Sequence, residues 1–106
     1  MVAFAAAAQA PYPARPVTYV VPYPPGGAAD VFARQLAQKL AERMGRPVIV
    51  ENRPGANGNI GSDYVAKGPA DGYTFLLGSA STITINPHLY GKQMPYDPLK
   101  DLQPVT

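Results

Sequence analysis

The chain has 106 residues, of which 46% are hydrophobic and 15% are charged. That length is enough for one small domain, and that composition excludes a chain kept disordered by excess charge. Nine Lys and Arg against seven Asp and Glu give a net charge of +2 without a block of one sign, so no nucleic-acid surface is indicated, and the lack of cysteine excludes disulfides and thiolate metal sites.

The first ten residues are typical of the end of an export signal. The stretch from Val2 to Ala8 is almost wholly apolar, and Ala8-Gln9-Ala10 has the small-x-small form that signal peptidase accepts. We therefore predict that residues 1–10 are a signal-peptide remnant lacking its basic start, with a flexible alanine-rich tail as the alternative. Residues 11–106 are then the exported, periplasmic part. No later apolar run reaches the ~20 residues of a membrane span, so we expect no direct membrane insertion of the mature chain.

Hydrophobic patterning predicts a strand and then a helix. The run Val17–Val21 is β-branched and aromatic and is largely apolar on both faces, as in a buried parallel strand. From Val31 to Met44 a helix is predicted, because large apolar residues recur every four positions with alanines beside them. Its predicted buried face comprises Phe32, Leu36, Leu40 and Met44, flanked by Ala33, Ala37 and Ala41. Asp30 is predicted to cap the helix and hold the preceding loop in shape, and Gly45 to end it.

The same unit then recurs. Val48–Val50 is predicted as a strand and Ile60–Lys67 as a helix, with a glycine-rich loop between them. Tyr73–Leu77 is predicted as a third strand, followed by a small polar loop and a helical turn near Asn86. This alternation predicts an α/β fold in which helices cover the faces of a parallel sheet.

Three of the loops are predicted to lie at one edge of that sheet. Residues 23–30, 53–59 and 78–82 each follow a strand, and open α/β sheets bind ligands outside the carboxyl ends of their strands. The loops offer backbone amides, hydroxyls and glycines that let a ligand come close, which favours an anion. For Gly26 and Gly27 alone, a tight strand-to-helix connection is an equal explanation, but three such loops together favour a ligand site.

Two side chains in these loops and the glycine spacing bear on what the site binds. Arg53 is interpreted as a solvated loop charge, with direct pairing to a ligand carboxylate as the alternative. Tyr23 is predicted to line the cleft. The glycine spacing fits neither a dinucleotide fingerprint nor a P-loop, so nucleotide binding is not predicted, and neither a metal nor a cofactor is expected.

A hydroxyl-based enzyme is the alternative from another class. A small α/β hydrolase or transferase could use Ser79 or Ser81, but it needs an activating base nearby. The single histidine, His88, has no spacing to either serine that supports a triad, and it is interpreted as a surface or packing residue.

Several short motifs, in the same order along the chain, resemble one protein family. They are Tyr23-Pro24-Pro25-Gly26-Gly27 with Asp30, Val50 to Ala56 with Gly58 and Gly61, Asp71-Gly72-Tyr73-Thr74, Asn86-Pro87 with Leu89-Tyr90, and Tyr96-Asp97-Pro98 with Lys100-Asp101 and Pro104-Val105-Thr106. Together they resemble the receptors of tripartite tricarboxylate transporters, also called Bug-type solute receptors.

The resemblance implies a fold, a ligand and a partner. The fold is the N-terminal part of lobe 1 of a type II periplasmic-binding protein, with the second lobe absent from this sequence. The ligand is a small organic carboxylate, held largely by backbone amides and ordered waters and delivered to membrane transporter subunits, without enzymatic activity. The ligand-binding positions carried onto this sequence are Tyr23, Gly26, Gly27, Ala28, Gly55, Ala56, Asn57 and Gly58, and in second place Ser79, Ser81 and Thr82. A non-functional truncated remnant is the alternative.

Overall fold

The computed structural model describes residues 11–105, so the predicted signal peptide lies outside the described part. In chain order the elements are β1 (Val17–Val21), α1 (Ala28–Met44), β2 (Val48–Asn52), a short turn (Ala56–Gly58), α2 (Asn59–Ala66), β3 (Thr74–Leu76), a π-helical turn (Ser81–Ile85), α3 (Asn86–Tyr90) and a last helical turn (Gly91–Gln93). Strands and helices alternate as the sequence predicts. None of the helices between residues 11 and 105 has both the length and the apolar character needed to cross a membrane.

β1 lies at the centre of the sheet. The strand order is β2-β1-β3, and both neighbours run parallel to β1. Val17 pairs with Val48 of β2, and Val20 pairs with Leu76 of β3. A central parallel strand is covered on both faces, and all of β1 except Thr18 is buried. The predicted parallel sheet is confirmed.

The buried face of α1 differs from the predicted one. Ala33 and Ala37 are buried and pack with Tyr19 of β1, whereas Phe32 is 55% exposed and Leu40 is 37% exposed. The prediction that Phe32 and Leu40 lie on the buried face is therefore wrong, whereas Leu36 is partly buried and packs against this core as predicted. Alanine lets a helix backbone lie close to the sheet, and one residue along a helix turns a side chain by about 100°, which turns Phe32 away from the face that Ala33 buries.

The two ends of α1 also differ in how well the sequence predicts them. The helix begins at Ala28 instead of Val31, with Gly27 before it in an extended conformation, so Asp30 lies inside the first turn. The prediction that Asp30 caps the helix from outside is wrong. Gly45 has a φ of 72° and donates its N–H to the Ala41 carbonyl, which confirms the predicted left-handed end.

Smaller differences affect β2 and the third loop. β2 continues to Asn52, beyond the predicted end, because the neighbouring Arg53 N–H still bonds to the Val21 carbonyl at 2.9 Å. The polar segment predicted as the third loop becomes helical early, so that Ser81 and Thr82 lie in the π-helical turn. The bounds of α2 and β3 match the prediction to within one residue.

Candidate functional site

The three predicted loops meet at the carboxyl edge of the sheet. The first loop (residues 22–27) follows the central strand β1, and the loops after β2 and β3 (residues 53–58 and 77–80) lie on either side of it. Because all three strands are parallel, their carboxyl ends share one edge. The predicted juxtaposition of the three loops is thus present in the fold.

Asp30 fixes the first loop. Its carboxylate accepts a hydrogen bond from the Gly26 N–H at 2.9 Å and another from Asn52 Nδ2, also at 2.9 Å. Asn52 Nδ2 in addition contacts the Tyr23 carbonyl at 3.1 Å, so the end of β2 is tied to the loop that follows β1. Although Asp30 is not the helix cap, it does hold the loop in shape, as predicted.

The same carboxylate pairs with a cation. Arg34, one helical turn further along, places its Nε 3.1 Å from Asp30 Oδ2. The Gly26 amide, Asn52 and Arg34 together lower the pKa of Asp30 to about 2, with the backbone hydrogen bond as the largest cause. Asp30 is therefore ionised at neutral pH and is already fully engaged within the protein.

This low pKa predicts how acid affects stability. Asp30 has a pKa of about 2 in the folded protein and about 3.9 in an unfolded chain, so its stabilising contribution is present above pH ~4 and is lost as the pH falls towards 2. We expect the wild-type protein to lose stability across this window more steeply than Asp30→Asn, which has no such ionisation. Urea unfolding at a series of pH values measures the effect. Parallel profiles for the two proteins would contradict it.

The first turn of α1 carries amides that the helix does not use. The first intrahelical bond runs from the Val31 N–H to the Gly27 carbonyl, at 3.0 Å, so the amides of Ala28 and Ala29 precede the hydrogen-bonded ladder. Gly27 and Ala28 are exposed. Amides at a helix N-terminus attract anions, because the helix dipole is positive there. The Gly26 amide, by contrast, is taken by Asp30.

The second loop contains an unusual backbone turn, which we call the left-handed turn and define as Gly55–Gly58. All four of its residues have positive φ, at 125° for Gly55, 50° for Ala56, 57° for Asn57 and 91° for Gly58. The Gly58 N–H closes the turn on the Gly55 carbonyl at 3.0 Å. Ala56 and Asn57 are exposed, and their amides take no part in this closing bond, whereas Gly58 is buried.

In the third loop the hydroxyl groups bond mainly to each other. Tyr23 Oη lies 2.5 Å from Ser79 Oγ, and the Ser79 N–H donates to Thr82 Oγ1 at 3.0 Å. Thr82 is fully buried, so its hydroxyl faces the interior and fixes the start of the π-helical turn. Ser81 is partly exposed. The Tyr23–Ser79 contact therefore joins the first loop to the third.

Gly58 brings the three loops into contact. A Cβ atom at this position would lie 2.6 Å from Thr82 Cγ2 and 3.4 Å from Tyr23 Oη. Such distances leave no room for a side chain, so glycine is required for the close approach. The predicted site residues thus gather at one edge of the sheet. Which of them contact a ligand stays a prediction.

Arg53 contacts two side chains of the protein itself. Its guanidinium lies 3.5 Å from the centre of the Tyr64 ring, and Nη2 lies 2.9 Å from Glu51 Oε1. This stacking holds α2 against the end of β2. The guanidinium therefore has structural partners, which differs from the solvated loop charge predicted from the sequence.

Ser79 and Ser81 form no hydrogen bond with a basic group in the described part of the chain. Ser79 Oγ contacts the hydroxyls of Tyr23 and Thr82, and no histidine or carboxylate within residues 11–105 forms a hydrogen bond with Ser79 or Ser81. His88 is exposed on α3. In the same described part of the chain, no group of three or more His, Asp or Glu residues could hold a metal ion.

A buried polar network behind the left-handed turn is not predicted from the sequence. It is centred on Asn86, whose Nδ2 donates to the Asn57 carbonyl at 3.0 Å and to Asn59 Oδ1 at 2.8 Å. Nearby, Tyr96 Oη donates to the Thr82 carbonyl at 2.7 Å. The sequence signal for this network is that Asn86 and Tyr96 lie in motifs that resemble those of the family named above.

The sequence and the fold are similar to those of known proteins. Protein BugT of Bordetella pertussis is 50% identical over 95 residues, which cover 90% of this chain and 29% of BugT. The solved structure of R. palustris Rpa4515 with adipate is 45% identical with a TM-score of 0.78, over 83% of this chain and 29% of that one. The solved structure of MatC of Rhodopseudomonas palustris with bound malate is 37% identical with a TM-score of 0.83. The match covers 89% of this chain and 32% of MatC.

The chain spans between 27% and 30% of the length of the curated relatives that it matches. Solved periplasmic proteins have the same parallel α/β architecture in the matching region, which confirms the predicted fold class for the segment present. Residues 32–106 match the model of the tripartite tricarboxylate transporter family receptors. Because this match covers more than half of the sequence, the chain belongs to the tripartite tricarboxylate transporter family receptors.

Proposed function

We propose that the chain forms the anion-binding edge of a periplasmic receptor that binds a small organic carboxylate and delivers it to the membrane subunits of a tripartite tricarboxylate-type transporter. The observation that carries the proposal is the position of two groups of amides on neighbouring loops, at the start of α1 and in the left-handed turn. Backbone amides are suited to a carboxylate, because they donate hydrogen bonds without bringing a counter-charge.

The contacts of the predicted positions indicate which of them bind the ligand directly and which shape the site. The amides of Gly27, Ala28, Ala56 and Asn57 are proposed as ligand donors, and the hydroxyls of Tyr23, Ser79 and Ser81 as neighbouring polar groups. The buried residues Gly58 and Thr82, and Gly26, whose amide Asp30 holds, are proposed to shape the site. The direct contacts thus come mainly from the backbone, and we expect affinity to depend on loop geometry more than on side-chain identity.

Two further considerations support a carboxylate receptor. Two similar solved structures hold the dicarboxylates adipate and malate. The family consists of receptors and not of enzymes, which argues against the hydrolase or transferase alternative. Export through the predicted signal peptide, the periplasmic location and the transporter subunits are part of the proposal.

Calorimetry on the complete gene product tests the proposed ligand class. We expect saturable binding of adipate, malate or a related dicarboxylate, and no binding of the matched neutral diamide adipamide. The reason is that amide donors at a helix N-terminus favour an anion over a neutral group of the same shape. A protein that is folded by circular dichroism and binds none of these dicarboxylates would contradict the proposal.

A further inference from the structure

The left-handed turn is a backbone conformation that needs support. Ala56 and Asn57 both have φ in the left-handed region, where the Cβ of an ordinary residue crowds the backbone. Such conformations persist only where surrounding contacts favour them, and they concentrate at ligand-binding sites. Gly55 and Gly58 adopt positive φ easily, but the two central residues need partners that hold them.

Asn86 supplies the main-chain partner. It is 2% exposed, and its Nδ2 donates to the main-chain carbonyl of Asn57 at 3.0 Å. The same Nδ2 donates to Asn59 Oδ1 at 2.8 Å, so both of its hydrogens are used. A buried amide that joins Asn57 to the first residue of α2 fixes the orientation of the peptide that follows Asn57.

A second residue of α3 holds the turn from its exposed side. Asn57 Nδ2 donates to Tyr90 Oη at 3.0 Å. Asn86 and Tyr90 stand at the two ends of α3, so one short helix bonds to both the main chain and the side chain of Asn57. In this arrangement the amides of Ala56 and Asn57 are left free of α3.

We propose that Asn86 is a positioning residue that holds the left-handed turn in its ligand-binding conformation. This inference rests on the proposed function, because the free amides of the turn are its proposed ligand donors. Asn86 itself does not touch the ligand. Its removal lets Ala56 and Asn57 relax towards negative φ, and their amides then leave the ligand site.

The test compares Asn86→Leu with wild type in the complete gene product. Leucine has a similar size and lacks both donors, and Tyr90→Phe is the matched control that removes only the side-chain bond to Asn57. With adipate and malate as probes in calorimetry, we expect Asn86→Leu to weaken binding about 10-fold, as expected for one to two lost hydrogen bonds. Tyr90→Phe should weaken it less.

Rescue separates positioning from general stabilisation. In the Asn86→Leu background, Ala56→Gly keeps the amide but removes the Cβ that disfavours positive φ, so it should restore part of the lost affinity. General destabilisation by Asn86→Leu would not be relieved in this way. Asn86→Leu binding as tightly as wild type, or a loss that Ala56→Gly leaves unchanged, would overturn the inference.

A measurement without ligand keeps the inference independent of the proposed function. The NMR cross-peak between the amide and Hα protons of Asn57 is strong at positive φ, and it should weaken in Asn86→Leu. If wild type binds no dicarboxylate, the proposed function fails, and this cross-peak still decides whether Asn86 holds the turn. An unchanged cross-peak would refute that role.

Discussion

Replacing Gly58 with alanine is expected to lower the free energy of unfolding by about 2–5 kcal/mol. One part of this loss, about 1–2 kcal/mol, comes from placing a Cβ on a residue with a φ of 91°. The other part, about 1–3 kcal/mol, comes from overpacking, since the new atom would lie 2.6 Å from Thr82 Cγ2. Urea unfolding of the two proteins measures the difference.

The chain offers a matched control for this prediction. Gly26 has the same φ of 91°, but nothing lies within 4 Å of an added Cβ. Gly26→Ala should therefore show only the backbone part of the loss. Thr82→Ser removes the clashing methyl group and keeps the hydroxyl. It should therefore lower the free energy of unfolding less in the Gly58→Ala background than it does in the wild-type protein. Equal losses at Gly58 and Gly26 would show that the three loops do not pack as closely as described.

The architecture can be predicted from the sequence because its signals are local. The apolar run Val17–Val21 predicts a buried parallel strand, and the structure places it at the centre of the sheet. Gly45 predicts where α1 ends, since a left-handed residue is needed there. The buried face of α1 could not be predicted correctly, because Phe32 and Ala33 each begin a series of apolar residues that recurs every four positions. Only the distance between helix and sheet decides which of them is buried.

The site can be predicted only in outline, because its details depend on contacts between residues that are distant in the sequence. The rule that loops of a parallel sheet share one edge brings the three segments together correctly. It does not reveal that the Gly26 amide is already taken by Asp30, or that Thr82 faces inward. It also misses Asn86, which contacts residues almost thirty positions earlier in the sequence. Such contacts depend on the packing of α3, for which the sequence has no periodic signal.

Replacing Ala28 with proline is expected to weaken dicarboxylate binding by about 10- to 100-fold without reducing stability. Proline has no amide N–H, and a hydrogen bond to a charged group contributes about 1.5–3 kcal/mol. Ala28 is the first residue of α1, a position where proline is favoured. The preceding Gly27 has φ of −79° and ψ of 177°, which suits a residue before proline. The substitution therefore removes one proposed donor and leaves the helix intact.

Calorimetry with adipate and malate, together with urea unfolding, separates the two effects of Ala28→Pro. Ala28→Ser is the control, because it changes the side chain of the same exposed residue and keeps the N–H. We expect the serine variant to bind as wild type does. If Ala28→Pro is as stable as wild type and binds equally well, the amide of Ala28 does not contact the ligand. The proposed site would then depend on the Gly27 amide and the left-handed turn, and Asn86→Leu should weaken binding more than Ala28→Pro does.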